Sequence, residues 1–254
     1  MPDSKFQQIE TAFLKTFNEK SFKENLSKED FERYLKGKEV LSLKKGDTIF
    51  DEGDFPQGVY FIDRGTVKLS KSGFFKKEQI LRFCVEGDLV GYRSLLCDEP
   101  FGATAEAMED AEITFLPAET FNHLLEADPK LSYAMLQKIA YELGEASKTI
   151  TFLAQKTVRE RLAEVLLLLE QKLGTDPEGF IKISLTREEI ANLVGTATES
   201  AIRLISEFKQ DELISVDGRN IRILNHDKLK KTGTRIYLVP FNLSTNKYVS
   251  TQRN

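Results

Sequence analysis

The chain has 254 residues, 41% hydrophobic and 30% charged, with seven prolines and a formal charge of −4; this is the composition of two ordinary folded domains and excludes a disordered or fibrous chain. Its longest apolar run, Val165 to Leu169, is far shorter than the roughly 20 residues of a membrane span, and the mixed-charge start MPDSKFQQIE lacks the apolar stretch of a secretion signal, so the cytoplasm is the expected compartment and no membrane partner is expected. Two cysteines, Cys84 and Cys97, cannot build a disulfide framework.

The charge is unevenly spread. From Lys182 onward there are 12 Lys and Arg against 8 Asp and Glu, which leaves −8 for the residues before it. A basic C-terminal end permits contact with nucleic acid, although a local surface rather than net charge meets phosphate.

In chain order, Phe6, Ile9, Phe13 and Phe17 recur at helical spacing, and Ser27 with Asp30 opens a further short helix to about Tyr34. These predict helices packed on the domain that follows. From Lys38 to Leu116 the texture changes to short apolar runs punctuated by glycine. Val67 and Leu69 alternate with Thr66, Lys68 and Ser70, as in a half-buried strand, and Gly46, Gly53, Gly65, Gly87 and Gly91 fall where the chain would reverse. Many short strands with regular turns predict an antiparallel sandwich or small barrel.

After Pro117 and a short helix ending near Asp128, Leu136, Ile139, Leu143, Ala146, Ile150 and Leu153 are spaced 3, 4, 3, 4, 3. Such a seam repeats every seven residues and asks for a partner helix. A second copy is the expected partner, because the motif downstream works in pairs; packing on the chain's own sandwich is the alternative. A second long helix is predicted from about Thr157 to Leu173, with Val158, Leu162, Val165, Leu166 and Leu169 on one face and a stop at Gly174. The segment GTDPEGF then reads as a loop.

The most informative stretch begins at Leu185. Thr186 with Glu189 predicts a capping box, Gly195 a helix end, and Thr196 with Glu199 a second capping box. Two short helices around a tight glycine turn, with Ala191 and Ala201 where their axes approach, form the helix-turn-helix pattern. Ala201, Leu204 and Phe208 face inward; Thr198, Glu199, Ile202 and Arg203 face outward. Two β-rich runs, Leu213 to Val216 and Asn220 to Leu224, flank an Asp217-Gly218 turn and predict a wing. Arg219 and Arg222 in it, with Lys228, Lys230 and Lys231 beyond, are placed to meet phosphate, although each lysine taken alone is an ordinary solvated surface residue. Glu199 and Arg203 lie on one helical face, as a simple exposed ion pair would. At the start of a recognition helix the same residues suit base readout, Arg bonding guanine O6 and N7 and Glu accepting from cytosine N4.

The glycine-punctuated sandwich, the seam helix and TATESAIRLI followed by a DG wing together resemble the Crp/Fnr family of bacterial regulators, over about Lys38 to Asp227. The resemblance implies an α+β architecture: an N-terminal antiparallel β-roll, jelly-roll-like, as sensor; a long dimerisation helix; and a C-terminal winged helix-turn-helix. It implies domains at 1–127, 128–156 and 157–228, with an extension of unassigned role at 229–254, where RIYLV is β-prone. It implies a homodimer on a palindromic DNA site with TGA-like half-sites, and contact with RNA polymerase. In that family a Glu followed four residues later by an Arg reads the bases, and these fall on Glu199 and Arg203. The outer reader position falls on Thr198, and an intervening one on Ile202, suited to a thymine methyl. The candidate DNA contacts are therefore Thr186, Thr196, Thr198, Glu199, Ser200, Ile202, Arg203 and Arg219, and the candidate dimer contacts are the six seam residues.

The family's cyclic-nucleotide cassette opens with Gly-Glu and closes with Arg and a small residue. This chain reads GDLVGYRSLLCDEPFGATAEA, so Tyr92 stands at the glutamate position and Gly102 or its neighbour at the arginine position. Without those charge-assisted contacts no response to cyclic AMP is expected. Gly91, Tyr92, Arg93, Ser94 and Thr104 are the candidate pocket for an unidentified small-molecule effector; a structural role for Arg93 is the alternative. Two cysteines cannot ligate the iron-sulfur cluster of some family members. Haem ligation through His123 or a cysteine stays open, although a lone His on a helix is more often an ordinary surface or packing residue. The rival class is a cupin-like β-barrel enzyme or small-molecule binder with an accessory helical domain. Its metal cluster is not visible, since His123 and His226 fall in different predicted domains. No catalytic triad, P-loop, dinucleotide fingerprint or metal site is found, and no enzymatic activity is expected.

Overall fold

The computed structural model describes residues 4–73 and 77–233, apart from the side chains of residues 4–7 and Glu10. The expectations for the Phe6 side chain and for the RIYLV extension lie outside the described residues.

Three helices open the chain: α1 (Ser4–Thr16), α2 (Glu19–Asn25) and α3 (Lys28–Gly37). Ser27 caps α3 by accepting from the Asp30 amide at 3.1 Å. The short α2 escapes the periodicity argument because seven residues are too few to show a face, yet Asn18 caps it and Phe22 is buried beneath it. Phe13, Phe17, Phe22 and Tyr34 are all buried, and Phe17 touches Phe61 and Phe121 with ring centroids at 5.3 and 6.4 Å. An aromatic wedge thus fastens these helices to the domain that follows.

That domain is a roll of eight strands: β1 (Glu39–Leu43), β2 (Thr48–Phe50), β3 (Gly58–Arg64), β4 (Val67–Ser72), β5 (Glu78–Cys84), β6 (Leu89–Val90), β7 (Thr104–Ala107) and β8 (Ala111–Pro117). They form two four-stranded antiparallel sheets, ordered β1-β8-β3-β6 and β2-β7-β4-β5. The five glycines expected at reversals all have left-handed φ, between 85° and 102°. At Gly65 the need is doubled, since a Cβ there would meet that of Ala111 at 2.8 Å. Ile62, Val67, Val90, Ala105 and Ile113 fill the space between the sheets.

A short helix α4 (Tyr92–Cys97) interrupts the strands, and α5 (Ala118–Ala127) leads into α6 (Pro129–Gln155), 27 residues long. Asp128 starts α6 by accepting from the Lys130 amide at 2.9 Å, ahead of a proline at the first helical position. One face of α6, with Leu131, Ala134, Met135 and Lys138 buried, packs on α1 and α5 and shares a core with Val59, Leu89 and Leu116 of the roll. Along that face runs an ionic network: Arg82 reaches Glu142 at 3.1 Å, Lys138 reaches Glu142 at 3.3 Å and Asp88 at 3.7 Å, and the Tyr92 hydroxyl donates to Glu142 at 2.5 Å. Burial, with the charge of Glu142, pushes the Tyr92 hydroxyl far up, so it stays a donor. Burial would raise Glu142 too, but Arg82 and Lys138 outweigh it and hold the carboxyl below its ordinary range.

The C-terminal unit comprises α7 (Val158–Leu173), α8 (Arg187–Val194), α9 (Thr198–Gln210), β9 (Ile214–Asp217), β10 (Asn220–Ile223) and α10 (His226–Gly233). Leu162, Leu166, Ile190, Leu204, Phe208 and Ile221 make its core, which also takes in Ile80, Phe83 and Met108 from the roll. The two units are therefore in direct apolar contact. The last helix was not expected from HDKLKKTG, whose single apolar residue, Leu229, is fully buried in that core.

Replacing Tyr92 by Phe deletes one bond to a half-buried carboxylate and is expected to lower the unfolding free energy by roughly 1–3 kcal/mol in urea titration; an unchanged midpoint would contradict the role given to the bond.

Candidate nucleic-acid interface

The helix-turn-helix is built from its caps upward. Thr186 Oγ1 accepts from the Glu189 amide at 3.1 Å while Glu189 Oε2 accepts from the Thr186 amide at 2.7 Å, the reciprocal capping box the sequence predicts for α8. Gly195 ends α8 in the left-handed region (φ 73°, ψ 53°), and the amides of Gly195 and Thr196 both donate to the Ala191 carbonyl, at 2.9 and 3.0 Å. The second capping box does not form. Ala197 is the N-cap of α9 and offers no side-chain bond. The reason is local: a box on Thr196 needs that residue's amide, which already closes α8.

From this start α9 turns Ala201, Leu204, Ile205 and Phe208 inward, where all are buried. Glu199, Ile202 and Arg203 stand exposed on the other side, Ile202 at 46%, with Thr198 and Ser200 half-buried beside them. Among the described residues, Glu199 and Arg203 do not pair with each other. Their polar ends are free for an external partner. Thr196 is half-buried at the turn, and the Thr186 hydroxyl is engaged in its cap.

Asp217 pairs with Asn220, so the loop between β9 and β10 is Gly218-Arg219, one residue later than expected. Gly218, at φ 56°, takes the first central position and leaves Arg219 exposed at the tip. Arg222 does not join the phosphate-facing set. It donates to the Glu178 carbonyl at 3.1 Å and lies 5.2 Å from the Phe180 ring centroid, pinning the loop before α8. Lys228, Lys230 and Lys231 lie on α10, which packs on α7. Sequence reasoning missed Arg187, whose Nη2 donates to the Gly218 carbonyl at 2.9 Å and ties the wing to α8. A cation in the first turn of a helix opposes the helix dipole, and that misfit is the one signal that pointed to it.

The side chains of the candidate effector residues are engaged within the chain. Tyr92 is buried and bonded to α6. Arg93 pairs with Glu99 at 2.9 Å, Ser94 is buried beside it, and Thr104 Oγ1 accepts from the Glu52 amide at 3.0 Å. Phe50 and Phe101 stack at 3.9 Å, and a Cβ on Gly91 would meet Phe101 at 3.2 Å. Aromatic rings occupy the space next to Gly91.

The seam residues Leu136, Leu143 and Ile150 are 62%, 70% and 69% exposed, and Ala146 is exposed with them. Ile139 is partly covered, and Leu153 lies beside the turn, where a Cβ on Gly195 would meet it at 3.3 Å. Among the described residues no helix is long and apolar enough to cross a membrane.

Residues 40–128 match the cyclic nucleotide-binding domain family and residues 160–232 the Crp-like helix-turn-helix domain family. The chain is 32% identical over 190 residues to the fumarate and nitrate reduction regulatory protein of Vibrio cholerae, covering 74% of this chain and 75% of the relative. It is equally 32% identical, over 190 residues, to the transcriptional activator protein Anr of Pseudomonas protegens, covering 72% and 75%. Among solved structures, a Crp/Fnr-family transcriptional regulator of Thermus thermophilus matches with TM-score 0.67 at 27% identity, over 77% of this chain and 98% of that one. A putative regulator of the same family from Eubacterium rectale, at 20% identity, shares the fold with TM-score 0.71 over 84% and 97%.

The two threonines give a paired test of the local analysis. Thr186→Ala is expected to cost about 1 kcal/mol of stability, and Thr196→Ala to stay within about 0.5 kcal/mol, both read from denaturant midpoints; equal losses would restore the second capping box.

Proposed function

Because the chain belongs to the Crp/Fnr family of transcription regulators, we propose that it acts as a homodimer whose two α9 helices enter successive major grooves of a palindromic site, about 34 Å apart. The family establishes DNA binding through a Crp-like helix-turn-helix and places the chain among regulators rather than enzymes. The observation that carries the finer reading is the exposed edge of α9, where Glu199 and Arg203 stand unpaired with each other one helical turn apart. Arg203 reads guanine through O6 and N7, Glu199 accepts from a cytosine amine, and Ile202 meets a thymine methyl. Thr198 stands at the outer reader position, while Thr196, Ser200 and the wing-tip Arg219 supply backbone contacts that set register without carrying sequence information. Thr186 sits at the cap of α8 to position the motif.

The dimer reading is supported by the exposed apolar stripe of Leu136, Leu143 and Ile150 on α6. Such a stripe is costly to leave in water and fits a second copy of itself in a heptad seam. The roll is read as a sensor that does not take cyclic AMP, since the residue at its acidic position, Tyr92, is committed to Glu142. RNA polymerase contact and a cytoplasmic setting follow the family.

Selection of bound sequences from random duplex DNA at fixed salt tests the reading. The wild-type chain is expected to enrich a two-fold palindrome. Arg203→Ala is expected to cost roughly 1–3 kcal/mol on that site and to lose preference at one base pair per half-site; an equal loss on all sequences would reduce Arg203 to a phosphate contact. Leu143→Glu is expected to shift the free protein to monomer in sedimentation, and an unchanged dimer would remove the seam from the interface.

A further inference from the structure

Lys68 breaks the pattern of its strand. Val67 and Lys68 are consecutive on β4 and should face opposite sides, yet both are buried, and the Lys68 side chain is 6% exposed. A buried ammonium is stable only when paired. Its Nζ lies 3.2 Å from Glu78 on β5, 3.2 Å from Glu106 on β7 and 4.0 Å from Glu189 on α8. Burial alone would make this lysine easier to deprotonate, but its bonds to Glu78 and Glu106 outweigh that and hold its pKa above the ordinary value, so it remains a cation. Two of its three partners belong to the sensor roll. The third belongs to the helix-turn-helix, and is the same Glu189 whose other carboxylate oxygen closes the capping box of α8.

Around this ion set the β4–β5 hairpin grips the end of α8. Asn192 Nδ2 donates to Glu78 at 3.2 Å, Gln79 Nε2 donates to the Asn192 carbonyl at 2.5 Å, and Lys77 Nζ donates to the Thr196 carbonyl at 2.8 Å. The Asn192 carbonyl lies in the last turn of α8, where a helix leaves acceptors without intrahelical partners, and the Thr196 carbonyl lies in the turn that follows; the sensor domain supplies both donors. Next to them, Ile80 and Phe83 of β5 lie in the apolar core of the DNA-binding unit. The grip falls on α8 and the turn and leaves Glu199, Ile202 and Arg203 exposed.

We propose that Lys68, a residue of the sensor roll, is a positioning residue for operator recognition: acting through Glu189 and the α8 end, it sets the orientation of the helix-turn-helix on the roll and hence the separation of the two recognition helices. The inference rests on the dimeric DNA reading above. A positioning role of this kind has a signature that mere stability lacks. It governs how well two half-sites are engaged together while leaving the contacts to one half-site intact, because simultaneous engagement depends on geometry and a single engagement does not.

The test measures affinity, at fixed salt, for duplexes carrying one half-site and for duplexes carrying two half-sites with the spacer shortened or lengthened base pair by base pair. Wild type, Lys68→Met and Lys68→Arg are compared, with thermal unfolding of each recorded. Lys68→Met is expected to lose about tenfold or more on the best-spaced site, in line with lost bivalent geometry, to change less than about twofold on the single half-site, and to flatten the spacing profile; Lys68→Arg should restore most of it. An unchanged spacing profile, or equal loss on one and two half-sites, overturns the inference. If Lys68→Met fails to fold, Gln79→Ala, which leaves the ion set whole, must flatten the profile in the same way, and its failure to do so counts equally against the inference. A wild-type chain with no spacing preference would instead overturn the dimeric reading itself.

Discussion

Helix α6 has two faces to satisfy, and the chain by itself satisfies one. On its inner side it buries Leu131, Ala134 and Met135 against α1, α5 and the edge of the roll and anchors the network of Arg82, Asp88, Lys138 and Glu142. On the other side Leu136, Leu143 and Ile150 lie mostly in water. Full burial of side chains of this size is worth roughly 1.5–3 kcal/mol each, the gain that a partner helix on that stripe would bring against the cost of association. Because α6 is continuous for 27 residues, whatever fixes its seam also fixes the roll, where Asp88 meets both Lys138 of α6 at 3.7 Å and Lys172 of α7 at 3.6 Å.

The helix-turn-helix divides its residues between structure and reading. Ala191 and Ala201 let the two helices approach, and Leu204 and Phe208 hold α9 in the core. Its closure uses backbone groups so fully that Thr196 has no amide left for a second cap, and α9 begins with its N-terminal donors free of any side-chain cap. Such donors suit a phosphate oxygen. The roll meets this motif by polar and apolar contacts at once, which makes the orientation of α9 a property of the whole chain rather than of its C-terminal third.

Much of this was legible in the sequence, because the informative residues obey local rules. The seam spacing from Leu136 to Leu153, the Thr186 box, the glycine reversals of the roll and the inward Ala201, Leu204 and Phe208 all follow from periodicity or from a single backbone requirement. What was not legible depended on contacts distant in sequence. Nothing near Arg222 announces Phe180 and the Glu178 carbonyl, and nothing near Tyr92 announces Glu142, fifty residues away. The Thr196 box was misread because two motifs compete for one amide, and the glycine closure won. Lys68 looked like the polar member of an alternating strand; only the packing of α8 against β5 shows why it is buried. The helix α10 rested on one leucine, too few to set a period.

The central claim is that two α9 helices, held by a seam and by their own rolls, contact one face of DNA symmetrically. Hydroxyl-radical footprinting on a selected site tests it most directly. The account predicts two protected patches related by a two-fold axis and separated by about one helical turn, 10 to 10.5 base pairs. A single patch, or protection without that phase and symmetry, would contradict it.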